Sequence, residues 1–548
     1  MVSPPDGWST TPATPVPAAP ARGFAPRAAR SALFAAARRD LARNGLVYAA
    51  ASALTLACRL PFVTQTDKDE IFFSIIAERW AHGQLPYVAS FDVKPPGLFF
   101  VFWLAQILLP ASLAVIKGLE IAAVIASAVM LFRMVDGPGR RAAAIWAALI
   151  FPVYSICLAG VDSVSMVLIA PCTIAGFGGM LRATDPDSSP RQGLSWSLIA
   201  GLAIGMAGTI RQTAAFDAIG VAALPLMFAR DGRLLGKLAA FAVGAVAPIA
   251  LFCAYFAGVG HFAEFYRDAI TLAAQRTAPD VLASYGPSAP WAFSLTGLLV
   301  RSELASAPLL LIWAGALLAI ARYRAILGHA PTRLYVAALI WLATAILGAL
   351  SGKLLCEYYL IATIPPLILL TALFLASGFD PGSAFGGVAA RLAVATGLAL
   401  AAIVPFEAPN LLNPAPILAG DYAGEQGVAD LLARRGFDPA RDSLLVVNRG
   451  YRIYLASGGR PPGRYFHATH LLGVFHAATP DPLGEALADR PAWIVVADPR
   501  TRHVTEMASA FQRIARTLQS RYALAGAVTG ARDRFFVYGP ARAPGVAP

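Results

Sequence analysis

Asp67-Lys68-Asp69-Glu70 is followed, a short helix-length later, by Phe91-Asp92-Val93-Lys94-Pro95-Pro96-Gly97. Both charged runs lie among apolar segments. Charges held against a bilayer face are costly, so their presence points to a site. A carboxylate there can act as a base or as a ligand, Lys94 can hold an anion, and the two prolines stiffen the chain beside the lysine.

The elements that must position these residues are set by composition. Of 548 residues, 57% are hydrophobic and only 14% charged, and mean hydropathy is +0.61. Soluble globular chains carry about a quarter charged residues, so this is a polytopic membrane protein. The net charge of +12 comes from arginines clustered between apolar runs, where membrane topology accounts for them. No basic face or stacking motif accompanies the charge, which argues against nucleic acid as a partner. Cys58, Cys157, Cys172, Cys253 and Cys356 all fall in or beside apolar runs, which disfavours a disulfide framework, and their spacing with histidine matches no metal motif.

A span needs about 20 apolar residues, and Lys and Arg collect in cytoplasmic loops. Residues 1–45, rich in Pro, Ala and Arg, read as a disordered cytoplasmic tail. Residues 46–405 read as the transmembrane domain, with a first external loop at 64–111. The apolar run 97–110 is short and ends in proline. If it crossed, the arginine-bearing loops 133–141, 182–191 and 230–237 would fall outside; laid along the outer interface, it leaves all of them inside. The spans are then 46–63, 112–135, 142–160, 164–181, 194–210, 213–229, 237–257, 307–321, 334–350, 358–376 and 392–405, about eleven helices. On this layout the first loop, Asp162, Arg211-Gln212, the loop 258–306 and Lys353 before Glu357-Tyr358-Tyr359 share the outer face and imply a cavity there. Residues 406–548 change character: helices near 429–435 and 507–522 and strands at 443–448, 493–497 and 534–538 predict a small external α/β domain. The turn-rich segments 448–451 and 458–465 are predicted to face the cavity.

Asp69-Glu70, then Gly83-Gln84-Leu85-Pro86-Tyr87, then Phe91 to Gly97, in that order, resemble the first external loop of the polyprenyl-phosphate-sugar-dependent membrane glycosyltransferases of the GT-C superfamily. That superfamily includes the protein O-mannosyltransferases and the bacterial aminoarabinose transferase acting on lipid A. Residues 205–213 (GMAGTIRQT) resemble the family's basic external turn, 353–366 its tyrosine- and proline-bearing helix start, and 458–465 a segment of its external domain. Gly97 stands where the family usually has leucine, and Glu357 where many members have histidine.

The resemblance implies a polyprenyl-phosphate-linked sugar as donor, a lipid, glycan or protein hydroxyl as acceptor, and inverting displacement. The resemblance, together with a place at the mouth of the cavity, assigns Asp69 as base with Glu70 as support or substitute; Lys94, Arg211 and Lys353, in descending order, are assigned to the donor phosphate, and Tyr87, Asp92, Glu357, Tyr358 and Tyr359 to substrate contacts. Asp162 is assigned to orienting the acceptor or helping to hold a divalent ion; the carboxylates are too loosely spaced to identify a metal. Each residue has a structural alternative. The Asp67 to Glu70 run can cap a helix over 71–80, Lys94 can snorkel, Asp162 can cap a helix end, and Tyr358 and Tyr359 can belong to an interfacial aromatic belt. His467, His470 and His476 are read as exposed. The competing function is a transporter or flippase for lipid-linked sugars, although no internal repeat of the kind transporters show is evident. Abundant alanine and arginine with few lysines predict a bacterial inner membrane, with the N-terminus cytoplasmic and the C-terminal domain periplasmic.

Overall fold

A computed structural model of the chain describes residues 26–63, 68–109, 112–158, 160–161, 164–229, 232–275, 309–351, 356–378, 390, 397, 423–471, 479–498, 507–530 and 533–541. The expected span 392–405 apart from residue 397, Asp162, Lys353, His476 and most of the loop 258–306 lie outside these residues. Contacts divide the chain into two units, Met1–Ala49 and Ala50–Pro548. Within the first, Asp40 accepts hydrogen bonds from Asn44 and Tyr48 along one helix face.

The long apolar runs are helices: α1 (Pro26–Arg59), α2 (Lys68–Ala81), α3 (Pro96–Leu108), α4 (Leu113–Val135), α5 (Arg141–Tyr154), α6 (Val164–Ala183), α7 (Pro190–Ile210), α8 (Ala214–Phe228), α9 (Leu234–Gly258), α10 (Leu309–Ala321), α11 (Thr332–Leu350) and α12 (Ile364–Gly378). Seven helical segments among the described residues are long and apolar enough to cross a membrane, and α3, α5, α8 and α10 are shorter apolar helices. The architecture is therefore that of a helical polytopic membrane protein, as the composition predicts. Helix α3, with 13 residues, is about 20 Å long and falls short of a hydrocarbon core about 30 Å thick. Pro96, Gly97, Leu98 and Phe99 at its start are buried, while Leu104, Ile107, Leu108 and Leu109 at its end are exposed.

Packing between helices depends on small residues, because lipid tails are as apolar as the side chains they would displace. Gly201 and Gly205 of α7 face α9 so closely that an added Cβ would lie 2.1 Å from the Phe241 carbonyl oxygen and 2.3 Å from that of Ala245. Gly97 is similarly confined: a Cβ there would lie 2.2 Å from Thr209 Oγ1 on α7. Glycine at position 97 thus lets the Lys94-Pro95-Pro96-Gly97 run sit directly on α7.

The C-terminal region is a four-stranded sheet in the order β1 (Leu444–Val447), β2 (Trp493–Ala497), β4 (Arg534–Pro540), β3 (Tyr522–Thr529), with β1 parallel to β2 and the other pairs antiparallel. Strands β1 (LLVV) and β2 (WIVVA) are buried throughout, which is why they read as continuous apolar runs. Helix α13 (Ala423–Arg434) packs on β3 and β4, and α14 (Met507–Arg521) leads directly into β3. Strand β3, YALAGAVT, is absent from the sequence-based expectation: its alanines and glycine carry little strand preference, and it lies at the sheet edge with a register shift between Leu524 and Gly526.

Candidate functional site

The first loop is held by three separate parts of the chain. Arg79, near the end of α2, donates from Nη1 to the carbonyls of Ala89 (2.8 Å) and Gly463 (2.9 Å), and from Nη2 to that of Pro461 (3.2 Å). Phe91 N–H donates to the Arg464 carbonyl (2.9 Å), and Arg464 Nη2 donates to the Tyr87 carbonyl (2.8 Å) and to Asp268 Oδ2 (2.7 Å). Residues 461–464 therefore lie on the first loop. Asp268, in a π-helical turn (Arg267–Leu272), is fully buried and also takes Arg267 Nε at 2.6 Å. Burial pushes its carboxyl upward, and the two guanidiniums pull it back.

Within that clamp the sequence-named residues take distinct places. Tyr87 adopts a left-handed backbone (φ 67°), is 1% exposed, and donates its hydroxyl to the Lys94 carbonyl at 2.7 Å. Its ring packs against Phe99, Phe256 and Phe265. Asp92 Oδ1 accepts from the backbone N–H of Val93 (2.6 Å) and Lys94 (3.1 Å), turning the chain just ahead of the lysine. Both residues thus shape the backbone that presents Lys94. Gln212 Nε2 completes the arrangement, donating to the carbonyls of Val93 (3.0 Å) and Ala269 (3.2 Å).

Arg211, the residue after α7, is 5% exposed. It donates from Nη1 to Ser165 Oγ (3.2 Å) and from Nε to Thr213 Oγ1 (3.2 Å), and its guanidinium lies 4.4 Å from the Tyr359 ring centroid and 5.7 Å from that of Tyr358. The two tyrosines meet edge to face at 4.6 Å. Arginine stacked on aromatic faces is held in a fixed plane, which suits bidentate contact with an oxyanion. Glu357 opens the 3₁₀ turn (Glu357–Thr363) that carries these tyrosines.

The neighbouring carboxylates Asp69 and Glu70 are separated in role by burial. Glu70 is 1% exposed and lies 3.2 Å from Lys117 Nζ. Lys117 also reaches Glu120 Oε1 (3.2 Å) and the Val161 carbonyl (2.7 Å), and Glu120 Oε2 takes Arg59 Nη1 at 3.0 Å. Arg59 in turn donates to the Ser155 carbonyl at 3.1 Å. Two acids and two bases thus form a buried chain behind the start of α2. Removing one member of such a chain strands its neighbours, a loss of about 3–5 kcal/mol. Asp69 instead keeps 34% of its side chain exposed, and its Oδ1 lies 3.1 Å from Nε2 of His467.

The expectation that the histidines are solvent-exposed is overturned for His467 and His470. His467 and His470 are 6% and 5% exposed. His467 stacks on Tyr451 at 5.7 Å and meets Phe72 edge-on at 4.8 Å, while His470 meets Phe91 at 4.8 Å. Tyr451 is itself fixed by accepting at its hydroxyl from the Ala468 N–H. Contacts therefore run from Asp69 through His467, His470 and Phe91 to the turn that carries Lys94. Among the described residues no group of three or more His, Cys, Asp or Glu side chains converges as a metal site would require.

Sequence reasoning missed Arg59, Lys117, Glu120, Arg79, Asp268, Arg464 and His467. For Lys117 and Glu120 a signal existed: two opposite charges three residues apart inside an apolar helix are expensive unless they face partners.

No protein-family profile and no curated protein matches this sequence. Among solved structures, the chain is similar to ArnT from Cupriavidus metallidurans bound to undecaprenyl phosphate, with a TM-score of 0.58 and 14% identity, covering 90% of this chain and 98% of that one. It is also similar to the apo state of the same protein, with a TM-score of 0.54 and 15% identity over the same shares. The chain shares the fold of that protein, a helical membrane domain with a small C-terminal α/β region.

Proposed function

We propose that this chain is a membrane glycosyltransferase that moves a sugar from a polyprenyl-phosphate donor to a hydroxyl of a lipid, glycan or protein acceptor. The observation that carries the reading is the contrast among first-loop carboxylates, in a fold shared with a protein crystallised with undecaprenyl phosphate. Glu70 and Asp92 are 1% and 4% exposed and engaged in framework contacts, whereas Asp69 is open and fixed in orientation by His467.

In this reading Asp69 takes the proton of the acceptor hydroxyl as its oxygen attacks the anomeric carbon. The bond from that carbon to the phosphate oxygen breaks, its electron pair leaves on the phosphate, and the anomeric configuration inverts. The departing phosphate then carries more negative charge than the donor did. Lys94, a point charge on a backbone braced by Tyr87 and Asp92, and Arg211, on its tyrosine platform, stabilise that charge. Lys353 is assigned to the same task. Tyr358 and Tyr359 act through Arg211, and Glu357 and Asp162 are assigned to the acceptor side.

The orientation follows from the arginines at the other end of the helices, which belong inside. The first loop and residues 406–548 then lie on the outer face of a bacterial inner membrane, the residues 1–45 inside, and the polyprenyl tail in the bilayer between helices. The test is to supply membranes or liposomes containing the purified chain with a polyprenyl-phosphate sugar. Release of polyprenyl phosphate with a glycosylated product is expected. Movement of the lipid-linked sugar between leaflets without product would replace this reading with the transporter.

A further inference from the structure

At the opposite end of the bundle from Asp69, a cavity of about 380 Å³ opens between α4, α6, α7 and α11. Arg133 at the end of α4, Arg140 just before α5, Arg182 at the end of α6 and Arg333 at the start of α11 line it, together with Asp185 and Trp196. Four of the lining side chains are arginines and one is an aspartate, in a recess whose remaining wall is largely apolar. Arg133 and Arg182 reach solvent while Arg140 and Arg333 are half-buried, and guanidiniums gathered in such a recess attract an anion.

We propose that this cavity binds the headgroup of an anionic phospholipid, with its phosphate among the arginines and its acyl chains along the outer side of α7. The guanidiniums are arranged for it. Arg333 Nη2 lies 2.9 Å from Asp185 Oδ2, but its Nη1 is buried with no hydrogen-bond partner among the described residues. The Arg182 guanidinium lies over the Trp196 ring, 4.8 Å from its centroid, a cation–π contact that holds the charge at the recess. Arg140 is braced by donating to the Val135 carbonyl at 3.0 Å. The apolar wall excludes a soluble anion as the best fit, because inorganic phosphate would gain nothing from it. On α7, Ile199 and Leu202, 45% and 41% exposed, continue the apolar surface outward from the cavity.

The site is distinct from the proposed donor site. Trp196 lies near the start of α7, and Arg211 follows its end; 21 residues of helix separate the two ends by about 30 Å, the thickness of a bilayer core. The bound phospholipid therefore belongs to the other leaflet, where basic recesses between helices recognise anionic headgroups.

The test is native mass spectrometry of the delipidated full chain with added phosphatidylglycerol, phosphatidylcholine or glycerol 3-phosphate. One phosphatidylglycerol is expected to be retained about tenfold more tightly than phosphatidylcholine, and glycerol 3-phosphate only weakly. R182Q/R333Q should lose that tenfold preference, and Lys94→Ala should keep it, which separates this site from the donor site. Equal retention of the two lipids by the unaltered chain overturns the proposal whatever the variants do. So does a preference that survives R182Q/R333Q, or glycerol 3-phosphate binding as tightly as the lipid.

Discussion

The two ends of the helical bundle hold charge in opposite ways. At the Asp69 end, cations and carboxylates are fixed by hydrogen bonds from the first loop, the π-helical turn after α9 and the segment before His467. At the other end, arginines line an open recess with one carboxylate between them. The first arrangement ties distant segments together by hydrogen bonds, as a reaction that develops charge at one point requires. The second has surplus charge and room, which suits binding without chemistry.

If the contrast is right, substitutions at the first end act on turnover or donor handling, and their sizes should follow their distance from the reacting atoms. Asp69→Asn should reduce sugar transfer by roughly 10²–10⁴-fold with donor binding retained. Lys94→Ala and Arg211→Ala should each weaken donor binding by about 1.5–3 kcal/mol, roughly ten- to a hundredfold, read by titration with polyprenyl phosphate. His467→Ala should lower kcat about tenfold with KM for donor unchanged, and His467→Gln, which returns an N–H near the Nε2 position, should recover part of the loss. An increase in donor KM as large as the fall in kcat would move His467 from orienting Asp69 to general support of the loop.

The smallest effect belongs to the C-terminal sheet. Burial pushes the Glu425 carboxyl up to about 7, with Arg452 opposing and Asp533 adding to the rise. Its Oε2 has no hydrogen-bond partner among the described residues. Because the folded-state value is raised, the stabilising contribution is complete below the ordinary carboxylate range and disappears as pH climbs through 7. Glu425→Gln should therefore raise Tm by about 2 °C at pH 8 and leave it unchanged at pH 4, as thermal unfolding across pH would reveal.

The sequence made some of this legible and hid the rest for physical reasons. Helices declare themselves through long apolar runs, and β1, β2 and β4 through their β-branched and aromatic residues. The first-loop constellation was visible because its charges and prolines are adjacent in the chain. The pairing of His467 with Asp69 joins positions 398 residues apart, and that of Arg464 with Asp268 joins positions 196 apart; no local pattern encodes either. Lys117 and Glu120 were visible but were absorbed into a span, since one apolar helix can carry a balanced pair without losing its overall hydropathy. Strand β3 lacked the large side chains by which strands are recognised.

The most direct test of the central claim is a single turnover of the purified full-length chain on a polyprenyl-phosphate sugar of known anomeric configuration. The expected result is one polyprenyl phosphate released per sugar transferred, a product of inverted configuration, and neither event in Asp69→Asn although it still binds the donor. Retained configuration, or phosphate release by Asp69→Asn at the unaltered rate, would contradict it.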